Sequence, residues 1–597
     1  MIPYSPPLAD IRFLLARLIG YERLAALPGC ESVNEELADA VLTEAAKLAS
    51  EVFAPLNTVG DNQGAQFQDG NVTMPDGFRE AYKAHVVGGW NSLPVSNELG
   101  GQGLPWSFAL PVQEMWQSAN LSLALCTLLN QGAVELLATH GSTELKASFL
   151  PKMVSGEWTG TMNLTEPQAG SDVGAVRCKA IKENEAYKIV GQKIFISYGD
   201  HDLTDNVIHM VLARLPEAPE GTKGLSLFLV PKFLVKADGS LDKRNDVRVV
   251  SIEHKLGQHA SPTCVMAYGD EGGATGYLVG TENGGISAMF TMMNNARICV
   301  GIQGLALMER AYQQARDFAK TRVQSRDLRK PNEPPVTIIH HPDVRRMLLW
   351  MRSHIEAARA LAYSCAYAVD VSKRAADEKH QNWGLARVDL LTPIVKSWLT
   401  HLSNEMTSVA VQVFGGMGYI EETGVAQHMR DARVLGIYEG TNGIQANDLV
   451  FRKVARDDGA ALRDLLSEIG SFMTELAKQP GDDCASMHRR LAEALVGLRE
   501  ASAWILKKTK EDAVIAASSA ASYLRLLGSV LGGYYLIKSA VLAQQDLGVA
   551  QGDPDYLHAK LITARFYAEH VLPQCAALTI TVVEGAGMIL AMPEDAF

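Results

Sequence analysis

Apolar residues recur at three- and four-residue steps over most of the chain, a spacing that places them on one face of a helix. This periodicity covers about 11–155, stops, resumes at 286 and continues to about 455. Long amphipathic helices of this kind pack as bundles, so two helical regions are predicted. The helix face expected to be buried near the N-terminus consists of Leu37, Val41, Ala45 and Leu48.

The region between the two helical parts alternates apolar and polar residues, as half-buried strands do. Short strands bounded by turns at this spacing predict a small β-barrel or sandwich, and the pattern ends near 279–285. The strand-like segments are 187–197, 206–215, 224–230 and 247–252.

Helical periodicity returns beyond a linker at 478–483, where Leu491, Leu495, Leu498 and Ile505 form an apolar stripe. Further helices are predicted over 511–545 and 556–580, and Pro573 should kink or break the last one. The predicted fold is mostly α with a central β domain. The predicted domains are 1–157 (α-helical), 158–282 (β), 283–455 (helix bundle) and 456–597 (helical extension).

Composition is that of an ordinary globular protein, with 597 residues, 47% hydrophobic and 20% charged. The net charge of −12 provides no basic field for nucleic acid. From residue 451 onward, 15 Lys and Arg oppose 18 Asp and Glu, so the extension lacks the basic character of a DNA-binding region. No nucleic-acid partner is therefore expected.

The eight cysteines are scattered and form no CxxC pair or other metal-ligand spacing. We expect buried, reduced thiols, a cytoplasmic location and no metal site. The N-terminus shows no basic region followed by an apolar one, so a signal peptide is not expected. No run reaches about 18 uninterrupted apolar residues, so no transmembrane segment is expected either.

Candidate chemistry begins with the segment 436–445, where Glu439 stands among glycines, small polar residues and Tyr438. A carboxylate on such a backbone can approach a planar ligand and remove a proton from a weak carbon acid. A Glu-Gly pair alone is more often a helix end. The second motif, Met-Asn-Leu-Thr-Glu-Pro-Gln-Ala-Gly-Ser-Asp at 162–172, changes that balance.

Together the two motifs resemble the signature of the acyl-CoA dehydrogenases, over about residues 30–455. The extension and the segment Ile-Glu-His-Lys at 252–255 further resemble large bacterial members, including the branch that acts on 3-methylmercaptopropionyl-CoA. The resemblance implies an N-terminal helical domain, a β-barrel and a C-terminal four-helix bundle, followed by a helical extension.

Desaturation of a Cα–Cβ bond needs a base for the Cα proton and a flavin for the Cβ hydride, because side chains cannot accept hydride. A glutamate has an ordinary pKa of about 4.3, so the site must also stabilise the enolate. By resemblance, Glu439 is this base. The family implies that the Glu439 backbone N–H and a flavin ribityl hydroxyl hold the thioester carbonyl.

The resemblance also implies residues that bind FAD and substrate. Phe195 stands where the family usually has Trp, and Asn294 where it commonly has Asp. Glu166 is expected to be structural, since it precedes a proline in a turn. The implied FAD-binding residues are Met162, Leu164, Thr165, Gly170, Ser171, Phe195, Ile196, Ser197, Arg322, Gln324, Gln412, Phe414, Gly415, Gly416, Thr441 and Asn442. The implied substrate-side residues are Ser171, Asn294, Arg297 and Gly440.

The implied activity is FAD-dependent conversion of an acyl-CoA to the trans-2-enoyl-CoA, with electrons passed to electron-transfer flavoprotein by a homodimer. An acyl-CoA oxidase of the same fold and a non-catalytic flavin-binding relative are the alternatives. The substrate stays open between 3-methylmercaptopropionyl-CoA or a short acyl-CoA and a medium- or long-chain one, because sequence does not measure pocket depth.

Overall fold

A computed structural model describes residues 2–597 and shows a chain dominated by helices, with strands confined to one stretch apart from a short hairpin. The α-helices are α1 (Leu8–Phe13), α2 (Tyr21–Ala25), α3 (Glu35–Lys47), α4 (Leu56–Gln63), α5 (Phe78–Val87), α6 (Trp106–Ala119), α7 (Leu121–His140), α8 (Thr143–Ser155), α9 (Gly285–Thr321), α10 (Pro342–Arg374), α11 (Glu378–Phe414), α12 (Val425–Ala432), α13 (Asn442–Asn447), α14 (Ala460–Leu476), α15 (Asp482–Glu511), α16 (Ala513–Gly548), α17 (Pro554–His570), α18 (Gln574–Glu584) and α19 (Ala586–Ile589). Three π-helical turns occupy Leu14–Ile19, Leu48–Phe53 and Asp448–Val454.

The strands are β1 (Gln66–Gln68), β2 (Asn71–Thr73), β3 (Trp158–Asn163), β4 (Lys179–Glu183), β5 (Ala186–Ser197), β6 (Asn206–Arg214), β7 (Leu225–Pro231), β8 (Phe233–Val235), β9 (Leu241–Arg244), β10 (Val247–Ile252), β11 (Thr263–Tyr268) and β12 (Ala274–Val279). Five of them build a closed barrel. Strand β5 pairs with β12, β12 with β7, β7 with β6, and the ring closes because β4 pairs with both β6 and β5. Strand β3 adds to β6 in parallel, while β11 and β10 extend from β5.

The chain forms two compact units. One contains residues 2–43, Trp106–Glu114 and Val300–Phe597; the other contains Glu44–Pro105 and Met115–Cys299, including the barrel. The predicted N-terminal domain, 1–157, is thus divided between the units. The physical reason lies in its polar contacts: for example, Asp370 of α10 accepts hydrogen bonds from the backbone of Trp106 and Ser107.

The predicted fold class is confirmed, a mostly helical protein with a central β domain and a helical extension. The predicted break at Pro573 is also correct, since α17 ends at His570 and α18 begins at Gln574. The predicted buried face near the N-terminus is partly wrong. In α3, Leu37 and Val41 are only half-buried, whereas Ala38 and Leu42 are in the core, so the buried stripe is displaced by one residue. The hairpin of β1 and β2 was not predicted.

Two helices are long and apolar enough to span a membrane by composition alone, α7 and α16. Their apolar windows have a mean hydropathy of 1.5, and 89% of each window is buried inside the protein. A helix that is apolar all round and covered by protein fits the interior of a large fold. The expectation of no transmembrane segment overlooked both helices, because it rested on uninterrupted apolar runs.

All eight cysteines are free and buried, in agreement with the sequence-based expectation. Over residues 2–597, no cluster of three or more His, Cys, Asp or Glu side chains could hold a metal ion.

The extension is fitted closely to the helix bundle through one tryptophan. Trp398 of α11 is 2% exposed, and its ring lies against Gly528 and Gly532 of α16. A Cβ added at either glycine would overlap the ring, so both positions exclude every other residue type unless the ring moves. The backbone of α16 therefore packs directly against the Trp398 ring of α11.

A buried ionic cluster joins the N-terminus, the bundle and the extension. Its centre is Arg359 of α10, 2% exposed at its side chain. The guanidinium donates to Asp10 of α1 (2.6 Å), Glu114 of α6 (2.7 Å) and Glu309 of α9 (2.7 Å). Lys560 of α17 lies 2.5 Å from Asp10.

The cluster has further bonds that leave few of its oxygens unpaired. Lys560 also donates to Glu356 (2.9 Å), which accepts from Arg352 (2.7 Å). Burial acts to raise the pKa of Asp10, but the charges of Lys560 and Arg359 outweigh it and hold that pKa well below its usual range. The carboxylate is therefore ionised at neutral pH, and all five elements depend on the two cations.

We expect Arg359→Met to destabilise the protein by about 3–5 kcal/mol, because removing one partner leaves buried carboxylates without their cation. The matched control is Arg346→Met, which removes an exposed i,i+3 pair with Asp343 and should change stability by less than about 1 kcal/mol. Urea unfolding followed by circular dichroism measures both. Equal unfolding midpoints for the two variants would show that the cluster contributes nothing to stability.

Candidate functional site

Glu439 lies in a tight turn between a 3₁₀ turn, Arg433–Gly436, and α13. Its φ is 55° and that of Gly440 is 80°, so two consecutive residues are left-handed. For a residue with a side chain, this conformation costs about 1–2 kcal/mol relative to a right-handed one. Strain of this kind persists only where the surroundings impose it, and it concentrates at functional sites.

The surroundings of this turn are polar and mostly buried. Lys396 of α11 is fully buried, and its Nζ donates to the carbonyl of Gly440 (2.8 Å) and to Asn442 Oδ1 (2.9 Å). Thr441 caps α13 by accepting from the Ile444 backbone N–H (3.2 Å). The Glu439 side chain itself is half-buried.

The second motif begins in β3 and continues as a loop. Leu164 and Thr165 are half-buried, whereas Gly170 and Ser171 are exposed. Glu166 and Ala169 exchange two backbone hydrogen bonds (3.1 and 2.9 Å), which closes the loop on itself. The Ile194 N–H donates to the Thr165 carbonyl (2.9 Å), so the loop is attached to β5.

Lys193 of β5 also binds this loop, from the interior of the protein. It is fully buried and donates to the Leu164 carbonyl (2.9 Å) and to Glu166 (2.8 Å). Glu166 also accepts from the backbone of Arg177 (2.7 Å) and Cys178 (3.0 Å). Burial acts to raise the pKa of Glu166, but the Lys193 ammonium and these bonds lower it overall. Glu166 is therefore a structural carboxylate, as its place in the turn predicts.

Phe195 lies on a β-bulge next to this loop. Between Cys264 and Met266, β11 advances two residues while β5 advances three, from Ile196 to Lys193. Phe195 takes φ 58°, and the residue is 59% exposed. A bulge re-aims a side chain, and an aromatic residue held left-handed and exposed presents a flat apolar face. Ile196 is buried and Ser197 half-buried.

Below the loop, a buried polar chain runs through the barrel. Tyr268 Oη donates to Asn163 Oδ1 (2.8 Å), and Asn163 Nδ2 donates to Thr161 Oγ1 (2.8 Å). Thr161 Oγ1 and His209 Nδ1 lie 2.8 Å apart. All four residues are fully buried, so the network fixes the end of β3 from which the loop leaves.

The glycine-rich segment follows α11. Gln412, Gly415 and Gly416 are exposed, and a Cβ at either glycine would meet no atom within 4 Å. Phe414 is buried, and its ring stacks on that of Phe318 with centroids 4.2 Å apart. Its contact with FAD stays a prediction.

Asn442 likewise makes contacts within the protein. Its Oδ1 accepts from Lys396 and from Thr400 Oγ1 (3.2 Å), and its Nδ2 lies within reach of the Ser397 carbonyl (3.4 Å). The residue is 7% exposed and therefore buried. Asn442 thus braces the turn, which leaves its backbone for the predicted FAD contact.

The remaining predicted residues lie on or beside α9. Arg322 and Gln324 are exposed just beyond its end, in a loop whose backbone is tied to Ile338 and Val336. Asn294 is exposed, while Arg297 is buried with its guanidinium 6.0 Å from the Phe290 ring centroid. Their roles toward FAD and substrate stay predictions.

Several of these features fit the flavin that the motifs imply. Each compact unit offers an open glycine backbone, at Gly170 in one and at Gly415 and Gly416 in the other. Phe195 adds the exposed aromatic face that could lie along an isoalloxazine ring. When bound, FAD would contact the loop at 162–171 beside Phe195, and the role of the glycine-rich segment toward FAD stays a prediction.

Sequence reasoning missed the two buried lysines, Lys193 and Lys396. Each interrupts an otherwise apolar face, and a lysine that is fully buried is almost always paired. A lone lysine at a core position of the periodic pattern was the available signal.

Family models match the chain over four consecutive segments. Three are acyl-CoA dehydrogenase domains: the N-terminal domain over 35–157, the middle domain over 161–270 and the C-terminal domain over 283–453. The fourth, over 465–593, is described as acetyl-CoA dehydrogenase C-terminal like. The fold and site define a flavin-dependent dehydrogenase, and the matches cover nearly the whole chain.

Individual proteins agree with this. The 3-methylmercaptopropionyl-CoA dehydrogenase of Ruegeria pomeroyi is 44% identical over 575 residues, 96% of this chain and 97% of that protein. A butyryl-CoA dehydrogenase of Syntrophomonas wolfei is 35% identical over 580 residues, 95% of this chain and 94% of that protein. The chain therefore belongs to the acyl-CoA dehydrogenase family, as an FAD-dependent oxidoreductase acting on CH–CH groups.

A crystal structure of an acyl-CoA dehydrogenase complexed with FAD from Bacillus anthracis has the same fold, with a TM-score of 0.73. It is 18% identical, and the match covers 95% of this chain and 92% of that one, so the likeness includes the extension.

Lys193→Met should weaken FAD binding at least tenfold, because the loop at 162–171 loses the ammonium that ties it to β5. The control is Lys188→Met on the same strand, whose partially exposed ammonium lies 3.4 Å from Glu183 and which should bind FAD as the parent does. Titration of the apoprotein with FAD, followed by flavin fluorescence, measures the affinity. Parent-like FAD affinity in Lys193→Met would contradict the role given to this lysine.

Proposed function

We propose that the protein desaturates 3-methylmercaptopropionyl-CoA between Cα and Cβ. The observation that carries this proposal is the 44% identity to the Ruegeria pomeroyi 3-methylmercaptopropionyl-CoA dehydrogenase across 96% of the chain. The similarity to a butyryl-CoA dehydrogenase is lower, at 35%, over nearly the same span. Both substrates are short, since 3-methylmercaptopropionyl-CoA is nearly isosteric with a straight short-chain acyl-CoA.

Glu439 is the proposed base, and its carboxylate takes the proton from Cα. The left-handed turn presents this carboxylate on a backbone with no side chain at the next residue, Gly440. The Glu439 backbone N–H is proposed to donate to the thioester oxygen, which stabilises the developing enolate charge. FAD, when bound, supplies the acceptor for the Cβ hydride.

We further propose that electrons leave to electron-transfer flavoprotein, that the enzyme works as a homodimer, and that it is cytoplasmic. Eight buried, unpaired thiols support a reducing compartment. The acidic net charge of −12 supports a protein partner over nucleic acid. Size-exclusion chromatography with light scattering tests the dimer.

The substrate is tested with a panel of acyl-CoAs of increasing chain length, read anaerobically by bleaching of the bound flavin. We expect 3-methylmercaptopropionyl-CoA and butyryl-CoA to bleach fastest, with rates falling at least tenfold for chains of about ten carbons or more. A maximum at long chains would reject the substrate assignment and leave the reaction class intact. Rapid oxygen consumption during turnover would instead indicate an oxidase.

Glu439→Gln should retain a yellow, flavin-loaded protein and lose turnover by about 10³-fold or more, because the amide cannot accept the Cα proton. The control is Glu500→Gln, an exposed carboxylate of α15 that should leave kcat unchanged. Steady-state kinetics with an artificial electron acceptor measures both. Turnover near the parent level in Glu439→Gln would exclude this residue as the base.

A further inference from the structure

The turn that carries Glu439 has a backbone conformation that is unfavourable for a glutamate. Glu439 and Gly440 have φ values of 55° and 80°, the pair of positive angles found in a type I′ turn. Asn, Asp and Gly are the residues that take such positions readily, and glutamate is not among them. Something outside the turn must therefore oppose its relaxation.

The opposing group lies on α11. Lys396 reaches the turn from a fully buried position and donates to the Gly440 carbonyl at 2.8 Å. Its second bond, to Asn442 Oδ1 at 2.9 Å, holds the first residue of α13. The lysine thus holds the chain on the C-terminal side of Glu439 at two residues, Gly440 through its backbone and Asn442 through its side chain.

A third residue stiffens this arrangement. Thr400, one helical turn after Lys396, lies 3.2 Å from Asn442 Oδ1 and 3.0 Å from Asn442 Nδ2. Gln445 Nε2 donates to the carbonyl of Glu439 itself (3.3 Å). Each bond fixes backbone or α13, and the Lys396 bond to Gly440 acts on the left-handed pair directly.

We infer that Lys396 is a positioning residue for proton abstraction: it holds the left-handed turn so that the Glu439 carboxylate stays aimed at Cα. The inference rests on the proposed role of Glu439 as the base. A displacement of about 1 Å in a reacting group can lower a rate by about 10²-fold. Loss of the lysine should therefore act mainly on kcat, since the turn that carries Glu439 can relax.

The test is Lys396→Met in the full-length, flavin-loaded enzyme. We expect kcat to fall about 30- to 100-fold, KM for the acyl-CoA to change less than about threefold, and the flavin content to be kept. Hydrogen–deuterium exchange of residues 436–447 should rise. If the methionine variant does not accumulate as holoenzyme, Lys396→Gln, which keeps an N–H donor, carries the same test with a smaller expected loss of about tenfold.

Two further measurements separate positioning from general damage to the fold. In Lys396→Ala, added methylammonium or ethylammonium should restore kcat at least fivefold, because a small cation can replace the missing one. Lys508→Met removes a surface lysine paired with Glu511 and should show neither the loss nor the rescue. In the double variant with Glu439→Gln, loss of Lys396 should add little, because both act on one step.

The outcomes are distinct. Parent-like kcat in Lys396→Met, with Glu439→Gln inactive, overturns the inference and leaves the proposed function standing. Activity in Glu439→Gln overturns the proposed function itself. A fall in kcat with an equal rise in KM and no rescue by amines shows general damage, and the inference is rejected.

Discussion

The buried charge of Arg359 is the interaction on which the larger compact unit depends. One guanidinium satisfies carboxylates from α1, α6 and α9, and Lys560 extends the same cluster to α17. Five helices are therefore joined by charged groups that are almost completely buried. Such a cluster is specific because an imperfect arrangement leaves a charge unpaired at a cost of several kcal/mol. It also explains why residues 2–43 and 106–114 belong with the C-terminal helices.

Two residues of the candidate site have the left-handed backbone conformation, which residues other than glycine rarely adopt. Glu439 has a φ of 55° and Phe195 a φ of 58°. Near each of them, a fully buried lysine donates a hydrogen bond to a backbone carbonyl. In each place a buried lysine binds a backbone carbonyl: Lys396 binds the turn of Glu439, and Lys193 binds the loop at 162–171 that lies beside Phe195. The same design thus appears once in each compact unit, on a strand in one and on a helix in the other.

Sequence alone predicted the order of helices, barrel and helices, because apolar periodicity reports which faces are buried. It also identified the two motifs that contain Glu439 and the loop at 162–171. It did not predict the side-chain contacts that depend on tertiary packing. Phe414 stacks on Phe318 and Asn442 bonds to α11, although both stand in segments expected to contact FAD.

The buried lysines show the complementary limit. Lys193 and Lys396 interrupt the apolar periodicity of the sequence. Their spacing does not predict which carbonyls they bind. The identity of a hydrogen-bond acceptor depends on where a distant loop returns, which periodicity does not encode. The displacement of the buried stripe in α3 has a related cause, because the neighbouring elements determine which face of a helix is buried.

Gly528 and Gly532 of α16 form a notch that holds the Trp398 ring. This notch limits how the chain could have changed in evolution. Helix α11 bears both the tryptophan that fills the notch and, two residues earlier, the lysine that reaches the turn of Glu439. The extension is thus not an interchangeable appendage. A lineage that lost it, or exchanged it for another helical domain, would have to rebuild the surface of α11 at the same time, so extension and catalytic domain are expected to be inherited as one piece.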